Sequence, residues 1–64
     1  MNLENYWGKK VKIKDIDNKE WVGFVSGFTD KNNNPEEKDS IDLKVDYSIY
    51  EIFEDEIKSI KIID

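Results

Sequence analysis

The stretch WVGFVSGF, residues 21–28, decides how the rest of the chain is interpreted. It has the β-branched and aromatic residues of a strand, yet it contains two glycines, which weaken a strand interior. Glycines at such positions indicate a bulge, a sharp bend or a close approach of another backbone. Strand alternation also places apolar side chains on both faces, with Phe24 and Phe28 on one face and Val25 on the other. A long strand that bends through a small barrel would bury parts of both faces, so this stretch predicts such a strand.

The segments around this stretch have the pattern of shorter strands. Residues 9–16, KKVKIKDI, alternate cleanly, with Val11 and Ile13 on one face and lysines on the other. Residues 17–20, DNKE, form a turn between the two strands, because Asp and Asn tolerate the left-handed conformation. Further strands are predicted over residues 40–45, 47–53 and 58–63, with polar connections at 29–39 and 54–57.

These segments together predict the architecture. Residues 3–7 form one helical turn or an extended lead-in, and Leu3, Tyr6 and Trp7 cover one end of the core. Five short strands without a long helix predict an all-β fold, a small antiparallel barrel that forms a single domain over residues 1–64. The two glycines are then the corners of the bent second strand.

Composition excludes several chemistries. The chain has no histidine and no cysteine, so a Ser-His-Asp triad, a thiol nucleophile, a zinc site and a disulfide framework are excluded. All ten basic residues are lysines, and the net charge is −5. The chain lacks the roughly 18 consecutive apolar residues that span a bilayer. The chain starts with polar residues, and its many lysines and isoleucines without arginine are typical of an AT-rich genome. The sequence therefore predicts a bacterial cytoplasmic protein that has no cofactor and is not an enzyme.

Two motifs carry a resemblance to a known family. Residues 8–25, GKKVKIKDIDNKEWVGFV, and residues 57–60, IKSI, resemble the two motifs of the Sm-like (LSm) domain family. The resemblance implies a strongly bent five-stranded SH3-like barrel, often with a short N-terminal helix. It also implies rings in which the fourth strand of one subunit pairs with the fifth strand of the next. The residues of that assembly edge would include Tyr47, Tyr50, Phe53, Ile60 and Ile62.

The same resemblance implies a site for single-stranded, uridine-rich RNA, formed by two loops at the pore of the ring. Asp30 and Asn34 match the family's acidic and amide positions, but an asparagine precedes Asn34 where the family has an apolar residue. The family's Arg-Gly pair falls on Phe53 and Glu54, so the cation is missing and a carboxylate is added. Because carboxylates repel phosphate, we expect RNA binding to be weak or absent.

Other candidate sites each have a plainer interpretation. The lysine stripe consists of Lys9, Lys10, Lys12 and Lys14, and Lys58 and Lys61 would lie beside it if the first and last strands pair. It is either a patch for nucleic acid or an acidic partner, or the solvated face of a strand. The loop at 29–39 offers oxygen ligands without the spacing of a cation site, which favours a flexible polar connection. Glu54 and Glu56 are a weak acid–base candidate. Four aromatic residues are base-stacking candidates but are expected in the core: Trp7, Trp21, Phe24 and Phe28.

Two function hypotheses of different classes follow from the sequence. The first is a non-enzymatic Sm-like scaffold or interaction module that self-associates through its last two strands. The second is a small acidic inhibitor or immunity-type protein that blocks a basic site on a partner. The second predicts that the acidic loop and residues 54–56 cluster on one surface, whereas the ring predicts that they lie on two opposite faces. A third possibility is an RNA-binding ring in which the lysine stripe replaces the missing arginine.

Overall fold

Five segments with strand patterns form the five antiparallel strands of one sheet, which confirms the all-β prediction. The computed structural model describes residues 1–63, and no α-helix occurs among them. None of the helical turns in that range is long and apolar enough to cross a membrane. The strands are β1 (Lys10–Asp15), β2 (Glu20–Thr29), β3 (Ser40–Val45), β4 (Ser48–Phe53) and β5 (Ile57–Ile62), and short 3-10 turns occupy Leu3–Tyr6, Lys31–Asn33 and Glu54–Glu56.

The order of strands in the sheet is β4-β3-β2-β1-β5. The first four strands follow one another as a meander, and β5 then returns to the free side of β1. In that last pairing Ile60 lies opposite Ile13, and Lys61 lies opposite Lys12. The strands β4 and β5 therefore form the two edges of the sheet.

The core lies on one side of this curved sheet. Alternation in β1 points Val11 and Ile13 inward, and both are fully buried. The N-terminal 3-10 turn covers the core with Leu3, as predicted, but Trp7 is 53% exposed and only meets Phe28 at a ring-centroid distance of 6.4 Å. The prediction that Trp7 belongs to the core was wrong. The buried apolar residues are Leu3, Val11, Ile13, Val25, Ile41, Leu43, Ile52 and Ile57.

A bulge divides β2 into two parts whose side chains alternate between the two faces of the sheet in opposite order. The pairing with β3 runs from Val25 opposite Leu43 to Gly27 opposite Asp42, so Ser26 is an extra residue. The extra residue reverses the alternation, because a one-residue insertion moves every later side chain to the other face. Phe28 consequently packs against the core, whereas Phe24 stays outside. The prediction that these two rings share a face was wrong for this reason.

The two glycines of β2 serve different purposes. A Cβ atom on Gly23 would collide with the backbone oxygen of Lys44 on the neighbouring strand, so this position is a close approach of two backbones. Gly27 directly follows the bulge, where a Cβ would come within 2.7 Å of the Asp42 carboxylate. Only Gly27 therefore corresponds to the predicted corner of the strand.

Candidate interaction surfaces

The acidic loop and the acidic 3-10 turn meet at one end of the molecule. The ammonium of Lys38 lies 2.8 Å from the Asp55 carboxylate, and the backbone N–H of Glu54 donates to the carbonyl of Asp39 over 3.0 Å. Within the loop, the backbone N–H of Lys31 donates to the Asp39 carboxylate over 2.8 Å, which joins the start of the loop to its end. The hydrogen bond and the charge of Asp55 raise the pKa of Lys38 above its usual value. The two segments thus form one surface.

This surface, called the acidic end below, carries seven carboxylates against two lysines, Lys31 and Lys38. Within it, Lys38 already pairs with a carboxylate, which leaves most of the negative charge facing solvent. Such clustering matches the expectation for an acidic inhibitor better than the spread over opposite faces expected for a ring. The carboxylates are Asp30, Glu36, Glu37, Asp39, Glu54, Asp55 and Glu56.

The residues predicted to contact RNA have structural roles in the same loop. The Asp30 carboxylate accepts the backbone N–H of Asn32 over 2.8 Å and caps the 3-10 turn. Asn34 is only 8% exposed: its amide nitrogen donates to Ser40 Oγ over 3.1 Å and its amide oxygen accepts the N–H of Glu36. Ser40 in turn donates to the Glu51 carboxylate over 2.8 Å. One oxygen of Asp30 and both polar groups of the Asn34 amide thus have partners within the fold, and RNA contact by these two residues stays a prediction.

The lysine stripe lies on the outer face of the sheet, opposite the core. Pairing of β1 with β5 places Lys61 beside Lys12, as predicted, whereas Lys58 donates to the Asn18 side chain in the β1–β2 turn over 2.9 Å. Pairing of β1 with β2 places Phe24 opposite Lys10, and this ring is 46% exposed. The prediction that Phe24 is a core residue was therefore wrong, while Trp21 and Phe28 do pack against the core.

A hydrogen-bonded cluster that the sequence interpretation missed fixes the β1–β2 turn. The indole N–H of Trp21 donates to one oxygen of Asp15 over 2.9 Å, and the other oxygen accepts the backbone N–H groups of Asp17 and Lys19, each over 2.9 Å. The Trp21 bond is the main cause that lowers the pKa of Asp15; partial burial opposes it, and the two backbone bonds and the Lys19 charge support it. The signal was available, because an Asp that opens a turn bonds the backbone two residues on.

Aromatic contacts extend this cluster across the barrel. The rings of Trp21 and Tyr50 lie 5.1 Å apart at an angle of 59°, and the Lys19 ammonium lies 4.4 Å from the centre of the Trp21 ring. These geometries are attractive, since an aromatic face carries partial negative charge. The cluster therefore connects β2 with the edge strand β4.

The residues predicted for an assembly edge divide into two groups. Tyr47, Tyr50 and Ile62 are exposed, and Tyr47 is the most exposed of them because it lies in the two-residue turn between β3 and β4. Phe53 and Ile60 are half-buried, and Ile60 packs against the core. The exposed group borders the open sides of β4 and β5.

The acid–base candidates Glu54 and Glu56 lie in the last 3-10 turn. The Glu56 carboxylate accepts the backbone N–H of Phe53 over 3.0 Å and so stabilises this 3-10 turn. Across residues 1–63 no three Asp or Glu side chains converge as ligands for an ion. No protein family model, curated protein or solved structure matches this chain significantly.

Proposed function

We propose that this chain is a non-enzymatic, cytoplasmic Sm-like interaction module that associates with further copies of itself through β4 and β5. The observation that carries the proposal is a sheet with two open edges, both bordered by exposed apolar side chains. An unpaired strand presents free N–H and C=O groups that pair readily with another chain.

The β4 edge has little of the usual protection against such pairing, and the β5 edge adds an exposed apolar side chain to its two lysines. Strand β4 has the sequence SIYEIF, in which Ile49 is 62% exposed and Tyr50 is 42% exposed, and the strand contains no proline and a single charge. Strand β5 exposes Ile62, which is 48% accessible to solvent. Natural sheets normally cover such edges or place charges along them, so these strands are suited to a partner strand.

The charges on the edges favour pairing of unlike strands. Glu51 is the charged residue of β4, whereas β5 carries Lys58 and Lys61. Pairing β4 with β4, or β5 with β5, would bring like charges together, which is destabilising. Pairing β4 with β5 of the next copy brings opposite charges together and repeats head to tail, and such an arrangement closes into a ring when its rotation allows.

The experiment that tests this proposal is the native mass of the purified protein across a range of concentrations, by native mass spectrometry and light scattering. We expect a discrete oligomer that persists on dilution. The variants Ile49→Lys and Ile62→Lys each place a charge beside one edge and are expected to give monomers. Ile16→Lys is the matched control, because Ile16 is also 62% exposed but lies in the β1–β2 turn, outside the edge strands β4 and β5.

A wild-type monomer at all concentrations would refute self-association while leaving the fold intact. Equal loss of the oligomer in Ile16→Lys would show that surface hydrophobicity, and not the edges, drives the association. Circular dichroism of each variant establishes that the sheet is kept, so that a change in mass reports on the interface alone.

We expect the RNA binding of this module to be weak or absent. Phe53 and Glu54 stand where the resembled family has its Arg-Gly pair, and the Asn34 amide is engaged with Ser40. The RNA-binding ring remains the rarer alternative, and oligouridine binding at low salt tests it. No detectable binding there would refute the idea that the lysine stripe compensates for the missing arginine.

The acidic end supports a second candidate function, the blocking of a basic site on a partner protein. Its support is the contact between the loop and the 3-10 turn, which joins their carboxylates into one surface. A lysine-rich peptide immobilised on a sensor is a suitable probe. Glu36→Lys combined with Glu54→Lys should abolish its binding, whereas the control Glu4→Lys combined with Asp17→Lys makes the same charge change elsewhere and should keep most of it. Equal losses would refute a dedicated acidic surface.

A further inference from the structure

The outer face of the sheet has a composition that neither self-association nor the acidic end explains. Lysines from three strands lie there together, around an exposed phenylalanine and an exposed valine. This surface is called the basic face below. It consists of Lys10, Lys12, Lys14, Lys44 and Lys61 with Val22 and Phe24.

The strand register orders these residues into rows. Phe24 lies opposite Lys10 on one side and opposite Lys44 on the other, so it occupies a position between two lysines. In the next row Val22 lies opposite Lys12, which is itself opposite Lys61. Each row therefore pairs an apolar side chain with two lysines, and the strands hold this spacing rigidly.

The face is shallow and positively charged. Lys10, Phe24 and Lys44 border a surface depression of about 400 Å³, which extends to Val45 and Asp46. Three carboxylates lie near the lysines: Asp46, Glu20, whose oxygen lies 3.6 Å from the Lys12 ammonium, and Asp42, two residues before Lys44 on the same face of β3. Five lysines against these three carboxylates leave a positive surface on a chain whose net charge is −5. Exposed apolar groups between charges of one sign mark an interaction surface more than a solvated one.

We propose that the basic face binds an acidic segment of a partner protein in which apolar residues alternate with Asp or Glu. The carboxylates of such a segment would meet Lys10, Lys44 and Lys61, and its apolar side chains would cover Phe24 and Val22. Charge complementarity fixes the partner's sign, and the exposed apolar side chains require that the segment is not purely polar.

Three observations favour an acidic protein segment over nucleic acid. Phe24 is the single exposed aromatic ring on this face, whereas single-stranded nucleic acid is bound by stacking successive bases on several rings. The chain has no arginine, so it lacks the guanidinium that grips phosphate in two places. The net charge of −5 repels a long polyanion, while a short segment with a few carboxylates is opposed far less.

The test uses fluorescence anisotropy with a labelled synthetic peptide in which Leu alternates with Glu. A second peptide with Ser in place of Leu measures the contribution of charge alone, and oligothymidine of similar length measures nucleic-acid binding. We expect the Glu-Leu peptide to bind about tenfold more tightly than the Glu-Ser peptide, since burial of Val22 and Phe24 adds to the charge term.

Variants of the face localise the binding. Lys44→Glu should weaken binding of the Glu-Leu peptide by about tenfold, because the variant places carboxylate against carboxylate. Phe24→Ser should remove most of the preference for Leu over Ser, and it should leave the fold intact because the ring is exposed. Lys31→Glu is the matched control: it changes one lysine of the β2–β3 connection, outside the basic face.

Each alternative result overturns the proposal. Equal binding of the two peptides, or an equal loss in Lys31→Glu, would show attraction by charge without a docking face. Tighter binding of oligothymidine, with a steep dependence on salt, would assign the face to nucleic acid. The native mass of every variant is measured in parallel. A failure of self-association would then appear in mass while peptide binding persists, so the two proposals fail separately.

Discussion

The two parts of β2 on either side of the bulge differ in how firmly the fold depends on them. In the first part Gly23 faces the backbone oxygen of Lys44, and its missing Cβ would also lie 3.1 Å from side-chain atoms of Leu43 and Val45. In the second part Gly27 faces only the carboxylate of Asp42, at 2.7 Å. A backbone fixed in a ladder cannot move aside, whereas the end of a half-exposed side chain can rotate. Two glycines four residues apart therefore carry different constraints.

Among these substitutions, Gly23→Ala is expected to lower the free energy of unfolding the most. The added methyl group would push β2 and β3 apart, and overpacking of this kind costs about 3 kcal/mol. A single hydrophobic core of this size rarely supplies more than about 3–5 kcal/mol, so the variant should keep at most about 2 kcal/mol of stability and unfold at a much lower urea concentration. Urea unfolding followed by circular dichroism measures the loss.

The matched control for this prediction is Val22→Ala, one residue earlier on the exposed face. It should change the free energy of unfolding by about 0.5 kcal/mol or less, because Val22 is 46% exposed and lies outside the core. If Gly23→Ala were as stable as Val22→Ala, the close approach of the two strands would not be a constraint.

Asp15→Asn tests the other anchor of the first part of β2, the bond from the Trp21 indole to the Asp15 carboxylate. The Asn amide has one acceptor oxygen where the Asp15 carboxylate uses two, so either the Trp21 bond or the two backbone bonds are lost. We therefore expect a Tm lower by roughly a few degrees near pH 6. The pKa of Asp15 is lowered in the folded state, so its stabilisation is complete above the unfolded value of about 3.9. It is lost as the pH falls through the folded value.

The pH dependence of the stability difference checks this prediction. The difference in stability between wild type and Asp15→Asn should be largest at about pH 6. It should shrink below about pH 4, because Asp15 is then protonated and is uncharged like the Asn side chain. Other carboxylates titrate in the same range, but they do so in both proteins and cancel in the difference. A gap that stays constant or widens in acid would show that Asp15 acts through its shape and not its charge.

Gly27→Ala should have the smallest effect. Replacing a strand glycine by alanine gains about 0.5–1 kcal/mol of backbone entropy, and rotation of the Asp42 side chain offsets part of that gain. The expected change in the free energy of unfolding is within about 0.5 kcal/mol. In the Asp42→Ala background the obstacle is absent, so the same substitution should become stabilising. A loss as large as that of Gly23→Ala in both backgrounds would contradict the distinction between the two glycines.

The strands were predictable from sequence because alternation and turn residues are local signals. Residues 40–45 were predicted with the observed bounds, and the other strands differ by one residue at their ends. The facing of Phe28 was not predictable, because the bulge at Ser26 is set by pairing with β3 and a strict two-residue period cannot show it. The exposure of Phe24 was missed for a different reason: aromatic residues are usually buried, and the register that places it between lysines is a property of the sheet.

The candidate surfaces were only partly predictable. The lysine stripe follows directly from alternation in β1, but the addition of Lys44 depends on the pairing of β2 with β3. The acidic end could not be predicted from spacing, because residues 29–39 and Glu54–Glu56 are joined through Asp39 and Lys38 across the fold. The structural role of Asn34 also needs the position of Ser40, which lies six residues away and is fully buried.

The return of β5 to β1 has a consequence for the order of folding. The strands β1 to β4 are consecutive neighbours and can form by successive hairpins, whereas β5 must close a loop that contains all of them. We therefore expect β5 to dock late, and the contact of Ile60 with Ile13 to slow unfolding more than it speeds folding. A chain with β5 detached would expose the edge of β1 to β5 of another copy, so strand exchange between copies would use the same element as the proposed assembly.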